Sequence, residues 1–297
     1  MSQTPKQTLR TLNDKKTQSI PLTWLTCYDY SFATVIENTE VDMILVGDSG
    51  GMVSLGYNDT VPVTMNEMIQ FASAVRRGAP SKFIVGDMPK GSYEASNEDA
   101  IKNAMRFCKE SGCDAVKLEG GVVMADRVKA ITESGIPVIG HLGLTPQSAG
   151  ALGGYRVIGR SQSESEKLAS DIEVLENSGA IAILLEAVPP TIAKTISLRA
   201  RTLILGIGAG PDVHGQLLIL HDMLGLYPNF RPKFAKCYIP QVLSPFLVEL
   251  SQTQDLISLG REKRTDGIHQ LSKRAIDAFV DEVRSGIFPA EKYSYKD

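Results

Sequence analysis

The chain has 297 residues, enough to bury a sizeable core either as one α/β barrel or as two smaller domains. Hydrophobic residues make up 43% and charged residues 22%, with 31 basic side chains against 34 acidic ones and a net charge of −3. This balance excludes a largely disordered chain and gives no general pull toward nucleic acid or an anionic membrane.

The opening MSQTPKQTLRTLNDKKTQSIP has no apolar core for a signal peptide, and Asp14 breaks the basic pattern of a transit peptide. Residues 1–20 read as a mobile arm, and the chain as cytoplasmic. Cys27, Cys108, Cys113 and Cys237 form no CxxC pair, so they read as reduced thiols rather than a zinc or thioredoxin-type site. The longest apolar runs, such as residues 181–185, are far too short to cross a bilayer.

From residue 22 onward the chain alternates two kinds of segment. Short runs rich in Val, Ile and Leu fall at 22–27, 43–46, 83–85, 115–118, 137–139, 180–185, 202–207 and 216–220. Helical stretches follow them near 30–38, 65–77, 97–111, 123–134, 163–178 and 191–200. Near-continuous apolar strands are what a parallel sheet covered on both faces needs. The repeat of strand and helix points to a single-domain α/β (β/α)₈ TIM barrel over residues 21–238. A doubly wound open sheet fits less well: strand one leads into CYDYSFA rather than a phosphate-binding glycine loop, and no GxxxxGK[ST] occurs. Residues 239–297 depart from the rhythm and form a C-terminal extension. Its part 239–267 reads as polar and weakly periodic. Residues 271–283 read as an amphipathic closing helix with Ile276, Phe279, Val280 and Val283 on one face, and the rest as a tail.

The polar residues fall at informative places. Asp48, Asp87, Glu119, His141 and Glu186 each end a different apolar run. In a parallel barrel those ends converge on one face, where active sites lie. Helix N-capping is a strong competing explanation for any one of them. It is a weaker one for four carboxylates placed alike, whose gathered charge needs compensation. Carboxylate oxygens without Cys or paired His suit Mg²⁺ or Mn²⁺, with Asp48 and Asp87 as ligands and Glu119 direct or through water. Lys117 and Glu119 share one side of a strand. Lys117 suits a substrate carboxylate, and a plain Lys–Glu ion pair suits the pattern equally. Glu186, in the apolar LLEAVPP, reads as a general base or as an ordinary buried Glu. His141 reads as orienting substrate or, by preference, as a hydrogen-bonding neighbour of a loop, and His214 and His221 as structural. Gly206, Gly208 and Gly210 read as a tight turn.

These motifs resemble the ketopantoate hydroxymethyltransferase family. The resemblance is carried by TCYDYSFA at 26–33, VGDS at 46–49, VKLEGG at 116–121, PVIGHLGLTPQS at 137–148, GGYRVIGR at 153–160, GIGAGPD at 206–212, HDMLGL at 221–226 and SGIFPAE at 285–291. It implies a (β/α)₈ barrel that binds Mg²⁺. The implied reaction moves a hydroxymethyl group from 5,10-methylenetetrahydrofolate to 3-methyl-2-oxobutanoate through a Mg-stabilised enolate. The product would be ketopantoate, a precursor of pantothenate and coenzyme A. Carried over residue by residue, Asp48, Asp87 and Glu119 resemble the metal site. Asp48, Ser49, Asp87 and Lys117 resemble the substrate contacts, and Glu186 the proton acceptor. The resemblance also implies small-molecule partners and a homo-oligomer, often a decamer. Gly50 and Lys90 depart from the apolar residues usual in the family, which leaves a related Mg-dependent aldolase or lyase acting on another 2-oxo acid as the competing expectation.

Overall fold

The computed structural model describes residues 5–151, 153–252 and 267–296. Its core is a closed barrel of eight parallel strands in sequential order. The strands are β1 (Leu22–Thr26), β2 (Met43–Val46), β3 (Phe83–Asp87), β4 (Ala115–Glu119), β5 (Val138–Gly143), β6 (Ala182–Glu186), β7 (Leu203–Ile207) and β8 (Gly215–Leu218), with β8 pairing back to β1. Nearly every strand residue is buried. The Val, Ile and Leu side chains pointing outward meet the helices and those pointing inward fill the barrel, which is why the runs lack alternation.

The surrounding helices begin with α1 (Leu9–Thr17), α2 (Tyr30–Glu37), α3 (Gly50–Val53), α4 (Met65–Gly78) and α5 (Asn97–Ser111). Next come α6 (Ala125–Glu133), α7 (Gln162–Asn177), α8 (Pro190–Arg199) and α9 (Leu220–Leu224), then α10 (Ile239–Gln252) and α11 (Gly267–Arg284). Their ends follow local chemistry. Thr64 and Glu67 form a reciprocal capping box at the start of α4. Gly112, at φ 70°, ends α5 in the left-handed conformation that glycine adopts without a Cβ penalty.

Two segments differ from the sequence reading. Residues 9–17, expected to be mobile, form α1, capped by Thr8 and anchored by the buried Leu12. Lys15 pairs with Asp42 just before β2, and Lys16 donates to the carbonyl of Thr202 just before β7. Helix α1 therefore covers the N-terminal end of the barrel, opposite the polar cluster. Residues 239–252, expected to be polar and irregular, form α10: Phe246 is buried, and Ile239 and Val242 pack against the core. The remainder of that segment, 253–266, lies outside the described residues. Helix α11 buries Ile276, Phe279, Val280 and Val283 as expected, against α2 and β1. Phe279 also meets Tyr238 and Phe288 edge-on. Among the described residues no helix is long and apolar enough to cross a membrane, and the four cysteines are unpaired.

His214 ties the β7–β8 connection together. Its backbone N–H donates to Ile204 O at 2.7 Å and its Nδ1 accepts from Ile204 N at 2.9 Å. Burial, reinforced by repulsion from Lys16, pushes its pKa down to about 4. A histidine depressed in the folded state contributes stability that is complete above its unfolded pKa of about 6.5 and is lost as pH falls toward 4. Discounted for partial solvent access, this amounts to about 1–2 kcal/mol. Wild-type protein should lose that much more unfolding free energy between pH 7 and 4.5 than His214→Asn in urea titrations. Parallel pH dependences would contradict the assignment.

Candidate active site

The strand register brings charged side chains into neighbouring positions at the C-terminal end of the barrel. Asp87 on β3 is paired in register with Lys117 on β4, and Glu119 on β4 with His141 on β5. Glu186 ends β6 opposite Gly143. Asp48 lies two residues beyond β2, in the turn leading to α3. The site residues expected from sequence, Asp48, Ser49, Asp87, Lys117, Glu119 and Glu186, lie at this end.

The contacts form one network. Lys117 Nζ lies 2.8 Å from Asp87 Oδ1 and 3.8 Å from Glu119 Oε1. The Asp48 N–H donates to Asp87 Oδ2 at 3.1 Å. His141 Nδ1 lies 3.2 Å from Glu119 Oε1 and its Nε2 3.2 Å from Glu186 Oε2, so the imidazole stands between two carboxylates. Lys117 Nζ is also 3.2 Å from Nδ1. An imidazolium gives its Nδ1 proton to Glu119 and leaves the ammonium to Asp87. Glu186 keeps 15% of its side chain exposed against 2–3% for Asp87, Lys117, Glu119 and His141. It is the group of this set that faces open space.

Burial decides the charges. It pushes the Asp48 carboxyl well above the usual carboxylate range, aided by the nearby Asp87. Asp87 is also raised, chiefly by burial. Burial disfavours charge on Lys117, yet Asp87, Glu119 and Asp48 hold its pKa above the normal lysine value. Burial and Lys117 oppose a charged His141, but Glu119 and Glu186 bring it up to about 9. Glu119 stays below its ordinary value despite burial, because His141 bonds to it. Fully ionised, Asp48, Asp87, Glu119 and Glu186 against Lys117 and His141 leave an excess of two negative charges.

That excess, in a buried place, fits one divalent cation. Among the described residues no three His, Cys, Asp or Glu side chains form a ready-made cage. Mg²⁺ does not require one: it is held by one or two carboxylates and completes its octahedron with water and substrate. Asp87 Oδ1 carries only the Lys117 ion pair, at 2.8 Å, and Asp48 commits only Oδ2, to Gln147. Both oxygens of Glu119 are engaged, Oε2 accepting the Gln147 N–H at 3.0 Å.

Two residues of this network were not legible as functional. The Gln147 amide donates from Nε2 to Asp48 Oδ2 and to Met88 O, each at 2.9 Å. The buried Tyr93 hydroxyl donates to Gln147 Oε1 at 2.6 Å. Gln147 stands within PVIGHLGLTPQS, a usable signal; Tyr93 had none. His141, expected to orient substrate or, by preference, to hydrogen-bond a loop, links Glu119 to Glu186. Ser49 Oγ is 2.8 Å from the Tyr28 hydroxyl. Gly50 lies under the Tyr28 ring, where a Cβ would sit 2.6 Å from Cδ1, so a larger residue would displace the partner of Ser49. Lys90 points to Glu94 at 3.2 Å.

Backbone geometry also serves Glu186. Gly143 has φ 87°, and a Cβ there would be 2.2 Å from Glu186 O. Ala187 itself takes a left-handed φ of 49°, a conformation that costs a non-glycine residue about 1–2 kcal/mol. Gly143→Ala should therefore destabilise the fold by about 2–4 kcal/mol, from overpacking plus strain. Denaturant unfolding checks this. An unchanged midpoint would mean that the β5–β6 edge yields freely and does not fix Glu186.

Comparison with known proteins decides the family. Residues 6–243 match the sequence profile described as ketopantoate hydroxymethyltransferase. This chain belongs to the ketopantoate hydroxymethyltransferase family. It is 44% identical over 296 residues to the 3-methyl-2-oxobutanoate hydroxymethyltransferase of Moorella thermoacetica, covering 100% of both chains. It is 43% identical over 290 residues to that of Heliobacterium modesticaldum, covering 98% of this chain and 95% of the relative. Membership makes it an enzyme of the hydroxymethyltransferase class. Among solved structures, 2,3-dimethylmalate lyase, of the PEP mutase/isocitrate lyase superfamily, superposes with a TM-score of 0.58. It has 15% identity, over 93% of this chain and 99% of that one. Phosphonopyruvate hydrolase in complex with oxalate and Mg²⁺ gives 0.58 at 12% identity, over 91% and 98%. At such identities the two share the barrel fold with the ketopantoate hydroxymethyltransferase family.

Proposed function

We propose that the enzyme moves the one-carbon unit of 5,10-methylenetetrahydrofolate to C3 of 3-methyl-2-oxobutanoate, giving ketopantoate. The observation that carries the reading is the clustering of the buried carboxyl groups of Asp48 and Asp87, with Lys117 beside them and Glu186 at the open edge. Asp48 and Asp87 would hold Mg²⁺ directly and Glu119 through water, since Glu119 already serves His141 and Gln147. Bound there, Mg²⁺ supplies Lewis-acid polarisation of the substrate's ketone.

The chain's own residues do the rest. Lys117, kept charged by its carboxylate neighbours, attracts the substrate carboxylate, and the Ser49–Tyr28 hydroxyl pair bounds the same pocket. Glu186 takes the proton from C3. The electron pair left on the substrate forms the new carbon–carbon bond to the one-carbon unit; both bonds from that carbon to folate nitrogens break, water supplies the hydroxyl, and the proton taken by Glu186 and one from the water end on the two nitrogens. His141, cationic between Glu119 and Glu186, fixes the orientation of Glu186.

Product analysis tests the reading. With Mg²⁺ and the folate donor, 3-methyl-2-oxobutanoate should give ketopantoate. Turnover of pyruvate or oxaloacetate alone, by carbon–carbon bond making or breaking, would favour the aldolase or lyase reading. The resemblance also leads us to expect a homo-oligomer. Sedimentation equilibrium would check it.

A further inference from the structure

The C-terminal tail, beyond the stretch that matches the family profile, walls a second cavity beside the reaction centre. It encloses about 750 Å³ and is lined by Pro190, Asp212, Lys233, Lys292, Tyr295 and Lys296, among others. Its position relative to Glu186 follows from the strands. Ile207 is the register partner of Glu186, and Gly208 is the next residue. Gly208 lies against Phe234 and Tyr295, where a Cβ would stand 3.2 Å from Tyr295 Cε2. Pro190, four residues after Glu186, forms another wall. Burial and then the charge of Glu186 raise the Tyr295 phenol, in keeping with this nearness.

The charges in the cavity are lopsided in a chain that is slightly acidic overall. Lys233, Lys292 and Lys296 have no carboxylate within 4.0 Å among the described residues. Of the two acids in the lining, Asp212 already faces Lys194 at 3.4 Å. The tail is held in place: Lys233 donates to Ser294 O, Arg160 to Lys296 O at 3.5 Å, and Phe234 meets the Tyr295 ring edge-on at 6.2 Å. Three lysines without a carboxylate partner among the described residues, in a cavity next to the proposed base, suit an anionic ligand that reaches Glu186 at its other end. This rests on the proposed reaction, whose donor carries its reactive carbon on a flat ring system and its carboxylates on a distant glutamate tail.

We infer that the cavity behind Tyr295 receives the glutamate carboxylates of the folate donor on Lys233, Lys292 and Lys296. The donor then lies across the β6–β7 edge, its one-carbon unit toward Glu186 and its anionic end under the C-terminal tail. Pentaglutamate forms should bind more tightly than monoglutamate ones, and increasingly so at low ionic strength.

The test compares wild-type enzyme with Lys292→Ala/Lys296→Ala. Exposed charge pairs are individually weak, so losing two should raise KM for the pentaglutamate donor about 10-fold. KM for 3-methyl-2-oxobutanoate should not move. Equilibrium dialysis of tetrahydrofolate pentaglutamate should show the same loss of affinity, with the salt dependence flattened. Lys292→Arg/Lys296→Arg should restore it. Unchanged donor affinity in the alanine variant, with a normal unfolding midpoint, would overturn the inference and leave the proposed reaction standing. Wild-type enzyme that enolises no 2-oxo acid and binds no folate would instead sink the reaction on which it rests.

Discussion

Glu186→Gln should abolish removal of the substrate's C3 proton while leaving the fold intact. Glutamine matches the glutamate in shape and can still accept from His141 Nε2, 3.2 Å away in the native site. What it lacks is the capacity to take a proton. Losing a general base costs about 10²–10⁴-fold in rate. Wash-out of the C3 proton into heavy water should fall by that factor, as should formation of ketopantoate. Mg²⁺ affinity should stay within a factor of about two, because Glu186 is not assigned to the metal. Wild-type exchange by the variant would place the base elsewhere.

The second large effect concerns Asp48, and it separates function from stability. Asp48 is buried beside Asp87 in a site that, fully ionised, would hold two negative charges in excess, and burial with Asp87 disfavours its charge. Asp48→Asn removes one of those charges and keeps an oxygen for the Gln147 Nε2 bond. Metal-free variant should therefore unfold at a temperature at least equal to that of wild type, and by about 2 °C higher if one kcal/mol of repulsion is relieved. Activity should drop about 10²–10³-fold, the cost of losing one charged group that stabilises developing charge. Adding Mg²⁺ should raise the unfolding temperature of wild type and leave the variant nearly unmoved, since only a ligand bound to the native state stabilises it. Calorimetric scans with and without Mg²⁺ check both halves. A variant that melts well below wild type without metal would mean that Asp48 is a structural carboxylate and that the charge count misstates the site.

The barrel was legible because its strands are buried on both faces. Runs such as Ala182–Glu186, ending in one polar residue, mark the inside of a parallel sheet and its C-terminal edge together. Convergence of Asp48, Asp87, Glu119 and Glu186 followed from that edge alone. Their pairing did not. Whether Glu119 meets His141 or Lys117 depends on strand register and barrel stagger, which no single strand encodes. Tyr93 and Gln147 reach the site from loops, where periodicity gives no direction. Helix α1 escaped notice because Leu12 is the single buried side chain on an otherwise polar stretch; its stability comes from the Thr8 cap and from Lys15 and Lys16 reaching the barrel rim. Helix α10 escaped because Pro245, a residue that disfavours helix interiors, lies inside it and its apolar residues spread over more than one face.

A divalent cation at Asp48 and Asp87 and a base at Glu186 should together enolise a 2-oxo acid. Proton NMR of 3-methyl-2-oxobutanoate incubated with the enzyme in heavy water, without folate, measures this. The C3 proton signal should disappear only when Mg²⁺ is present, and the disappearance should stop on adding a chelator. Addition of 5,10-methylenetetrahydrofolate should then produce a new hydroxymethyl signal. Exchange that proceeds equally without metal, or no exchange while Mg²⁺ is bound, would contradict the account.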